Sequence, residues 1–190
     1  MTNHFEHIYL IERFKNLQFV VFSGPSGGGK TTIIKEVEKL ADNYEVLIKN
    51  TDRPVRREEV NGVDYYFCSS QEFENTNNFV AVISRYDHLY GLLISEIEKA
   101  LSKGKIPCFI LDPNAAIAFK KIYQNAIIIF VGPEDSGVIE KRLTDRGDES
   151  GEIKKRLILL KEEYTLRPQF DYNLYNQPGD VNKILNILKG

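Results

Sequence analysis

The sequence has few of the residues that build disulfide frameworks and metal centres. Among its 190 residues there are only three histidines and two cysteines, Cys68 and Cys108, which lie far apart and form no C-x-x-C pair. This pattern indicates neither a disulfide scaffold nor a zinc site. A reducing compartment such as the cytoplasm fits this cysteine usage best.

The sequence also lacks an excess of one charge and any long apolar run. Its 25 lysines and arginines are offset by 27 aspartates and glutamates, for a formal net charge of -2. We therefore expect no nucleic-acid or membrane partner, and any basic site must be local. No segment reaches the length of a membrane span, and residues 1–16 lack the apolar core of a secretory signal. The length suits one compact domain, which we expect to act as a monomer or homodimer.

A glycine-rich segment stands out against this ordinary background. The apolar run 19–22 ends at Ser23, and the residues that follow fit the phosphate-binding pattern G-x-x-x-x-G-K-S/T before a helical pattern begins. The backbone N–H groups of such a loop surround polyphosphate oxygens, and the N-terminus of the next helix adds positive potential. Lys30 would reach the terminal phosphates, and the Thr31 hydroxyl would hold a magnesium ion. The residues that we expect to bind ATP are Gly24, Pro25, Ser26, Gly27, Gly28, Gly29, Lys30 and Thr31.

Predicted strands alternate with predicted helices along most of the chain. Apolar patterns predict strands at 19–22, 45–49, 107–111, 126–131 and 172–175, and helices at 31–40, 93–102, 114–123, 133–146, 152–164 and 181–188. The segment 126–131 is continuously apolar, as in a central parallel strand that is covered on both faces. The sequence therefore predicts an α/β fold of three layers with a doubly wound parallel sheet.

Residues 50–90 do not follow this alternation. Short strands are predicted at 65–68 and 80–84, with a short helix between them, so we expect a small mixed lobe. For residues 5–14 a helix and a strand fit equally well. We divide the single domain 1–190 into three parts. The core comprises about 15–49, 91–132 and 165–190. The mixed lobe comprises about 50–90, and the helical lid comprises about 133–164.

Two groups of arginines are candidates for phosphate binding. Arg53 and Arg56 flank Pro54 in a polar segment, and Tyr65 follows; an arginine fork donates two parallel hydrogen bonds to phosphate, and a tyrosine hydroxyl can complete the clamp. A second group lies around the glycine-flanked segment 147–151, where it could close over a transferring phosphoryl group; its members are Arg142, Arg146 and Arg156. Taken alone, each group is also compatible with a solvated surface.

An acidic residue follows one predicted core strand. Asp112 comes at the carboxyl edge of the sheet, where ligands of such folds bind. It could also cap the following helix, and the two roles are compatible. We assign no catalytic role to His88.

Together these segments resemble the guanylate kinase family of nucleoside monophosphate kinases. The resemblance runs from about Leu17 to the C-terminus, through S-G-P-S-G-x-G-K, T-x-R-x-x-R-x-x-E-x-N-G-x-D-Y-x-F over 51–67, Y-G at 90–91, L-D at 111–112, K-R-L-x-x-R-G over 141–147 and K-R-L at 155–157. It implies a P-loop kinase fold that uses ATP and Mg²⁺ to phosphorylate a small phosphorylated acceptor, GMP in the family's usual reaction.

The resemblance also implies a role for each matching residue. Lys30 with the lid arginines, Arg142, Arg146 and Arg156, would be catalytic. The acceptor phosphate would be held by Arg53, Arg56, Tyr65 and Tyr90. Glu59 and Asp112 match acidic positions that the family keeps near the metal and the acceptor.

The sequence departs from the family where the guanine base is read. Family members place there a glutamate, a hydroxyl residue and an acid, and the corresponding residues are Ala81, Lys49 and Asn114. Loss of a carboxylate would leave the N1 and N2 donors of guanine unpaired, at about 1–3 kcal/mol each. The resemblance thus implies an intact phosphate site and an altered base site, with Ala81 in the place of the guanine-reading residue.

Alternatives to a GMP kinase stay open at this point. A related kinase could use another nucleoside monophosphate or ribose 1,5-bisphosphate. A non-catalytic module could bind a phosphopeptide, although such guanylate kinase-like domains typically lose the phosphate-binding loop that this chain retains. A P-loop GTPase would need an N-K-x-D motif, which the sequence lacks.

Overall fold

The structure is a computed structural model that describes residues 6–57, 59–85, 87–177 and 179–189. Its strands are β1 (Glu6–Ile8), β2 (Phe19–Ser23), β3 (Tyr44–Val46), β4 (Asn50–Thr51), β5 (Tyr66–Phe67), β6 (Phe79–Arg85), β7 (His88–Leu93), β8 (Ile106–Ile110), β9 (Ala126–Val131) and β10 (Tyr172–Leu174). Its α-helices are α1 (Lys30–Leu40), α2 (Ile94–Ser102), α3 (Pro113–Ile122), α4 (Ser136–Asp145), α5 (Ser150–Thr165) and α6 (Asp180–Lys189).

The core sheet has the strand order β10-β9-β2-β8-β3, and all its pairings are parallel. Successive side chains of a strand point to opposite faces, and in β2 both faces are apolar. Phe19 and Val21 pack in one cluster with residues of α2 and α3, whereas Val20 and Phe22 pack in a second cluster with residues of α1 and α6. This confirms the predicted three-layer, doubly wound α/β fold.

The order of the strands places the glycine-rich loop at the middle of the sheet. β8 and β9 lie on opposite sides of β2. The loop therefore leaves the carboxyl end of the central strand, at a point where the connections diverge, and ligands of open parallel sheets bind in that crevice. Asp112, which follows β8 and begins α3, lies at the same edge.

A second sheet has the order β1-β6-β7-β4-β5. Its pairings are antiparallel except the one between β4 and β5. The predicted strands at 65–68 and 80–84 correspond to β5 and β6. Strand β7 was not predicted: it runs to Leu93, so α2 begins one residue later than expected, at Ile94.

The N-terminal segment joins this second sheet to the core. β1 pairs with β6, with Ile8 opposite Ala81. The Tyr123 hydroxyl on the chain after α3 accepts a hydrogen bond from the Ile11 N–H at 3.1 Å and donates one to the Tyr9 carbonyl at 2.7 Å. The strand alternative therefore holds at residues 6–8, while residue 5 lies outside the described residues.

Helices α4 and α5 form a separate small cluster through Ile139, Leu143, Ile153 and Leu160. α4 begins at Ser136 rather than at the predicted residue 133, because the Asp135 side chain caps it by accepting from the Gly137 N–H at 2.8 Å.

Candidate active site

The glycine-rich loop has a backbone that side chains would obstruct. Gly24 has a φ of 123°, and a Cβ built there would lie 2.1 Å from the Val131 carbonyl oxygen. Gly29 has a φ of 95° and is the N-cap of α1, and its Cβ would lie 2.0 Å from the Asn176 side chain. Because L-residues rarely adopt such φ values and no space is free, glycine is required at both positions. These two glycines thus allow the loop to pack closely against the end of β9 and against Asn176.

Lys30 is the first residue of α1 and its side chain turns back over the loop. Its Nζ donates to the carbonyl oxygens of Gly24 and Pro25, both at 2.7 Å. Burial, with a smaller effect of Arg85, lowers the pKa of Lys30 to about 7. A buried ammonium group that faces its own loop is suited to bind an anion, because phosphate oxygens would replace the two carbonyls and restore its charge.

Two of the three lid arginines reach the loop directly. Arg142 of α4 donates to the Gly27 carbonyl at 3.1 Å, and Arg156 of α5 donates to the Ser26 hydroxyl at 2.8 Å. Arg146 forms an ion pair with Asp148, to which Arg156 also lies close at 3.1 Å. Burial alone would raise the pKa of Asp148, but Arg146 and Arg156 lower it, so this carboxylate stays charged and orients both arginines.

The second arginine group is held by Glu59. Arg53 is 7% exposed and donates to both Glu59 carboxylate oxygens, at 2.9 and 2.8 Å. Glu59 also accepts from the Arg56 backbone N–H at 2.9 Å. Such a bidentate pair fixes the guanidinium in one orientation. The resemblance implied a position for Glu59 near the metal and the acceptor, and that role stays a prediction; in the structure Glu59 lies against Arg53 and Arg56.

Two tyrosines lie beside these arginines. The Arg53 guanidinium stands 5.3 Å from the ring centroid of Tyr65, and the rings of Tyr65 and Tyr90 meet edge to face at 6.0 Å. Burial raises the pKa of Tyr65, and Tyr90 raises it further. The Tyr65 hydroxyl therefore remains a hydrogen-bond donor at neutral pH.

Two adjoining cavities bring these groups together. The first cavity contains Arg53, Tyr90 and Asp112, and the second contains Thr31, Arg142 and Arg146. Six residues line both of them: Ser26, Lys30, Lys49, Arg56, Tyr65 and Ile110. Asp112 caps α3 by accepting from the Ala115 N–H at 3.2 Å, as predicted. It also lines the first cavity, and its role toward a ligand stays a prediction.

Two of the positions at which the family reads the guanine base, Ala81 and Asn114, line neither cavity. Ala81 is 1% exposed and packs in the main core cluster with Ile83 and Leu92. Its small side chain does not extend beyond that packing. Asn114 is exposed on α3, one residue beyond Pro113.

Sequence reasoning missed one residue that lines the site, Asn176, and one ion pair at its edge, between Arg85 and Glu163. Asn176 has a φ of 57°, packs on Gly29 and lines the second cavity. The polar turn after the last predicted strand was the available signal for it. Glu163 of α5 forms an ion pair with Arg85 of β6, and Arg85 lines the first cavity. Nothing in the sequence pairs residues so far apart.

Comparison with known proteins then identifies the family. The sequence model of the family described as guanylate kinase matches residues 16–190. The chain belongs to the guanylate kinase family. It is 36% identical over 178 residues to the guanylate kinase of Thermotoga maritima, covering 90% of this chain and 86% of that relative. It is 38% identical over 180 residues to the guanylate kinase of Bacteroides thetaiotaomicron, covering 90% and 88%.

A solved structure agrees with this family assignment at the level of the fold. The crystal structure of guanylate kinase from Anaplasma phagocytophilum superposes with a TM-score of 0.73 at 22% identity, over 92% of this chain and 86% of that one. Residues 6–15, which include β1, lie before the part of the chain that the guanylate kinase family model matches. Among the described helices, none has the length and apolarity needed to cross a bilayer.

Proposed function

We propose that this protein transfers the γ-phosphoryl group of ATP to the phosphate of GMP, giving ADP and GDP. The observation that carries the proposal is the adjoining pair of cavities, one beside the glycine-rich loop and one beside the Arg53 clamp, with Lys30 and Arg56 shared between them. The relatives from Thermotoga maritima and Bacteroides thetaiotaomicron, which match about 90% of the chain, are guanylate kinases.

The acceptor phosphate would be bound at the first cavity. Arg53 and Arg56 supply fixed positive charge, and the hydroxyls of Tyr65 and Tyr90 supply neutral donors. Because Glu59 already fixes the Arg53 fork, the acceptor would meet a group that needs little reorganisation.

The donor phosphates would be bound by the loop 24–29 and Lys30. The lid arginines then face the transferring group from the opposite side, through contacts that already reach Ser26 and Gly27. Phosphoryl transfer needs mainly positioning and stabilisation of charge on the equatorial oxygens, which these cations provide. The acceptor phosphate oxygen is itself the nucleophile, so no histidine is required.

A magnesium ion would bind at the donor side only together with the nucleotide, whose phosphates would supply part of its ligands. The described residues contain no cluster of three or more metal-binding side chains. The exposed Thr31 hydroxyl lines the second cavity next to Lys30, and a hydroxyl with substrate phosphates and water is a ligand set that Mg²⁺ accepts. The ion would supply charge neutralisation between the donor phosphates.

The division into core, lobe and lid is part of the same proposal. The core (about 15–49, 91–132 and 165–190) would hold ATP, the lobe (about 50–90) would carry the acceptor clamp, and the lid (about 133–164) would bring its arginines over both. Whether the protein acts as a monomer or as a homodimer stays a prediction.

A coupled assay of ADP release with Mg²⁺, ATP and GMP tests the proposal. We expect GMP-dependent turnover that falls by about 100-fold or more in Lys30→Met, because a charge next to the transferring group is lost. Lys39→Met is the matched control, since Lys39 lies on the same helix with an exposed side chain. A protein that binds MgATP but releases no ADP with GMP would overturn the proposal and favour a binding module.

A further inference from the structure

The first cavity has more cations than the proposed reaction uses. Its described lining contains a single carboxylate, Asp112, against six cationic side chains: Lys30, Lys49, Arg53, Arg56, Arg85 and Arg156. Under the proposed function, which this inference rests on, four of these serve the donor and acceptor phosphates. Arg85 is paired with Glu163 of α5. Lys49 is the cation without an assigned role.

Lys49 is held over the two tyrosines of the acceptor clamp. It lies between β3 and β4, and its Nζ stands 5.8 Å from the ring centroid of Tyr65 and 5.7 Å from that of Tyr90. Among the described residues no carboxylate forms an ion pair with it. An ammonium group resting on aromatic faces is retained by their electron density yet keeps its N–H donors available to a ligand.

The described lining residues of β6 have no side chain that accepts a hydrogen bond from a base. Ala81, Ile83 and Arg85 alternate onto one face of β6, where Ile83 and Arg85 line the cavity. Ala81 pairs with Leu92 across the strands, and both are buried in the apolar core. A base amino group directed at this wall would find only apolar atoms and a cation.

The chemistry of purines connects these two observations. Guanine presents O6 and N7 as acceptors on one edge, whereas adenine presents an amino donor at position 6. A lysine can only donate, so it favours a 6-oxo group and disfavours a 6-amino group. Recognition of the 2-amino group of guanine requires an acceptor, and the side chains of Ile83 and Arg85 on this wall supply none. Asp112, the one carboxylate in the described lining, accepts from the Ala115 N–H as the cap of α3.

We propose that Lys49 selects the acceptor base by donating to O6 and N7 of a 6-oxopurine, and that the 2-amino group is not selected. The substrate class is therefore 6-oxopurine nucleoside monophosphates, of which GMP is one member. Lys49 would thus bind the acceptor edge of the base, whereas the family's carboxylate, at the position of Ala81, binds the opposite, donor-bearing edge of guanine.

The test compares GMP, IMP and AMP in the ADP-release assay, because IMP keeps O6 and N7 but lacks the 2-amino group. For the unaltered protein we expect kcat/KM for IMP within about 10-fold of that for GMP, and for AMP lower by about 100-fold. In Lys49→Met, kcat/KM should fall by about 10-fold to 100-fold for GMP and IMP and by less than about 3-fold for AMP. Lys49→Arg should restore most of the preference, and Lys39→Met should leave all three ratios unchanged.

Two results would overturn the proposal. A 100-fold or greater preference for GMP over IMP would mean that the 2-amino group is read. An equal loss on all three acceptors in Lys49→Met would mean that Lys49 binds phosphate rather than the base. Dissociation constants of the three nucleotides, measured by calorimetry, decide the same question without turnover. If GMP gave no turnover, the proposed function would be contradicted. The dissociation constants would still show whether the base preference holds.

Discussion

The phosphate end and the base end of the first cavity hold their charges in different ways. At the phosphate end a partner fixes the charge: Glu59 holds Arg53 through two hydrogen bonds, and two backbone carbonyls hold Lys30. At the proposed base end, Lys49 rests on two aromatic rings, in a cavity that Ile83 and Arg85 of β6 also line. Networks of paired groups tolerate few substitutions because each member orients the next. Within the part of the chain that the structure describes, Lys49 has no such partner to orient, so a substitution there should disturb fewer neighbouring groups. We therefore expect substitutions to change the base preference more readily than phosphate binding.

Gly24→Ala should break the phosphate end most completely. The new Cβ would lie 2.1 Å from the Val131 carbonyl oxygen, at a φ of 123°. We expect a loss of about 3 kcal/mol in the free energy of unfolding and loss of ATP binding, measured by urea denaturation and calorimetry. Gly151→Ala is the control, because Gly151 lies in α5 with nothing within 4 Å of its Cβ, and it should stabilise by up to about 1 kcal/mol. Normal ATP binding by Gly24→Ala would contradict the required loop conformation.

Arg53→Ala should separate acceptor binding from donor binding. We expect KM for GMP to rise by about 100-fold and KM for ATP by less than about 3-fold, because a charge-assisted contact to the acceptor is lost and Glu59 loses its bidentate partner. Arg57→Ala is the matched control, since Arg57 is exposed and lines neither cavity. An equal rise in KM for GMP and for ATP would contradict the assignment of Arg53 to the acceptor clamp.

A double-mutant cycle sharpens the same comparison. Glu59→Gln alone should raise KM for GMP by about 10-fold, since Arg53 loses its orientation. Added to Arg53→Ala it should have almost no further effect. Fully additive effects would show that Glu59 acts independently of Arg53.

The base end should respond to pH in the weakly alkaline range. Burial lowers the pKa of Lys49 to about 8, although Asp112 acts to raise it. The protonated form, present below that pH, is the donor, so KM for GMP should rise by about tenfold from pH 7 to pH 9. Lys49→Arg stays charged and should flatten this rise. The other ionisable side chains lining the cavity with Lys49 are Lys30, Arg53, Arg56, Tyr65, Arg85, Tyr90, Asp112 and Arg156. A steep rise that persists in Lys49→Arg would assign the titration to one of these groups.

The core sheet and the phosphate loop were predictable because their signals are local. In β2 four consecutive apolar residues, Phe19 to Phe22, are explained by apolar layers on both faces. The glycines of the loop are a local signal as well, because the backbone conformation of the loop itself requires them. Most of the proposed site residues therefore came from motifs, and the structure brings Lys30, Arg142 and Arg156 into contact with the loop or its side chains.

The second sheet and the base end depend on distant contacts. Strand β7 contains Gly91, which weakens any strand signal, yet a Cβ there would lie 2.4 Å from the Phe79 ring. The glycine is thus explained by a close approach that only the folded chain reveals. In the same way, the burial of Ala81 and the pairing of Arg85 with Glu163 arise from tertiary packing and leave no local pattern.

The central claim is that donor and acceptor are bound side by side in one chain, and a bisubstrate compound tests it most directly. Adenosine and guanosine joined through a polyphosphate chain should bind with one compound per chain and at least about 100-fold more tightly than GMP, because the second contact is intramolecular. It should compete with both MgATP and GMP. Binding that is displaced by ATP but unaffected by saturating GMP would contradict the adjoining arrangement of the two sites.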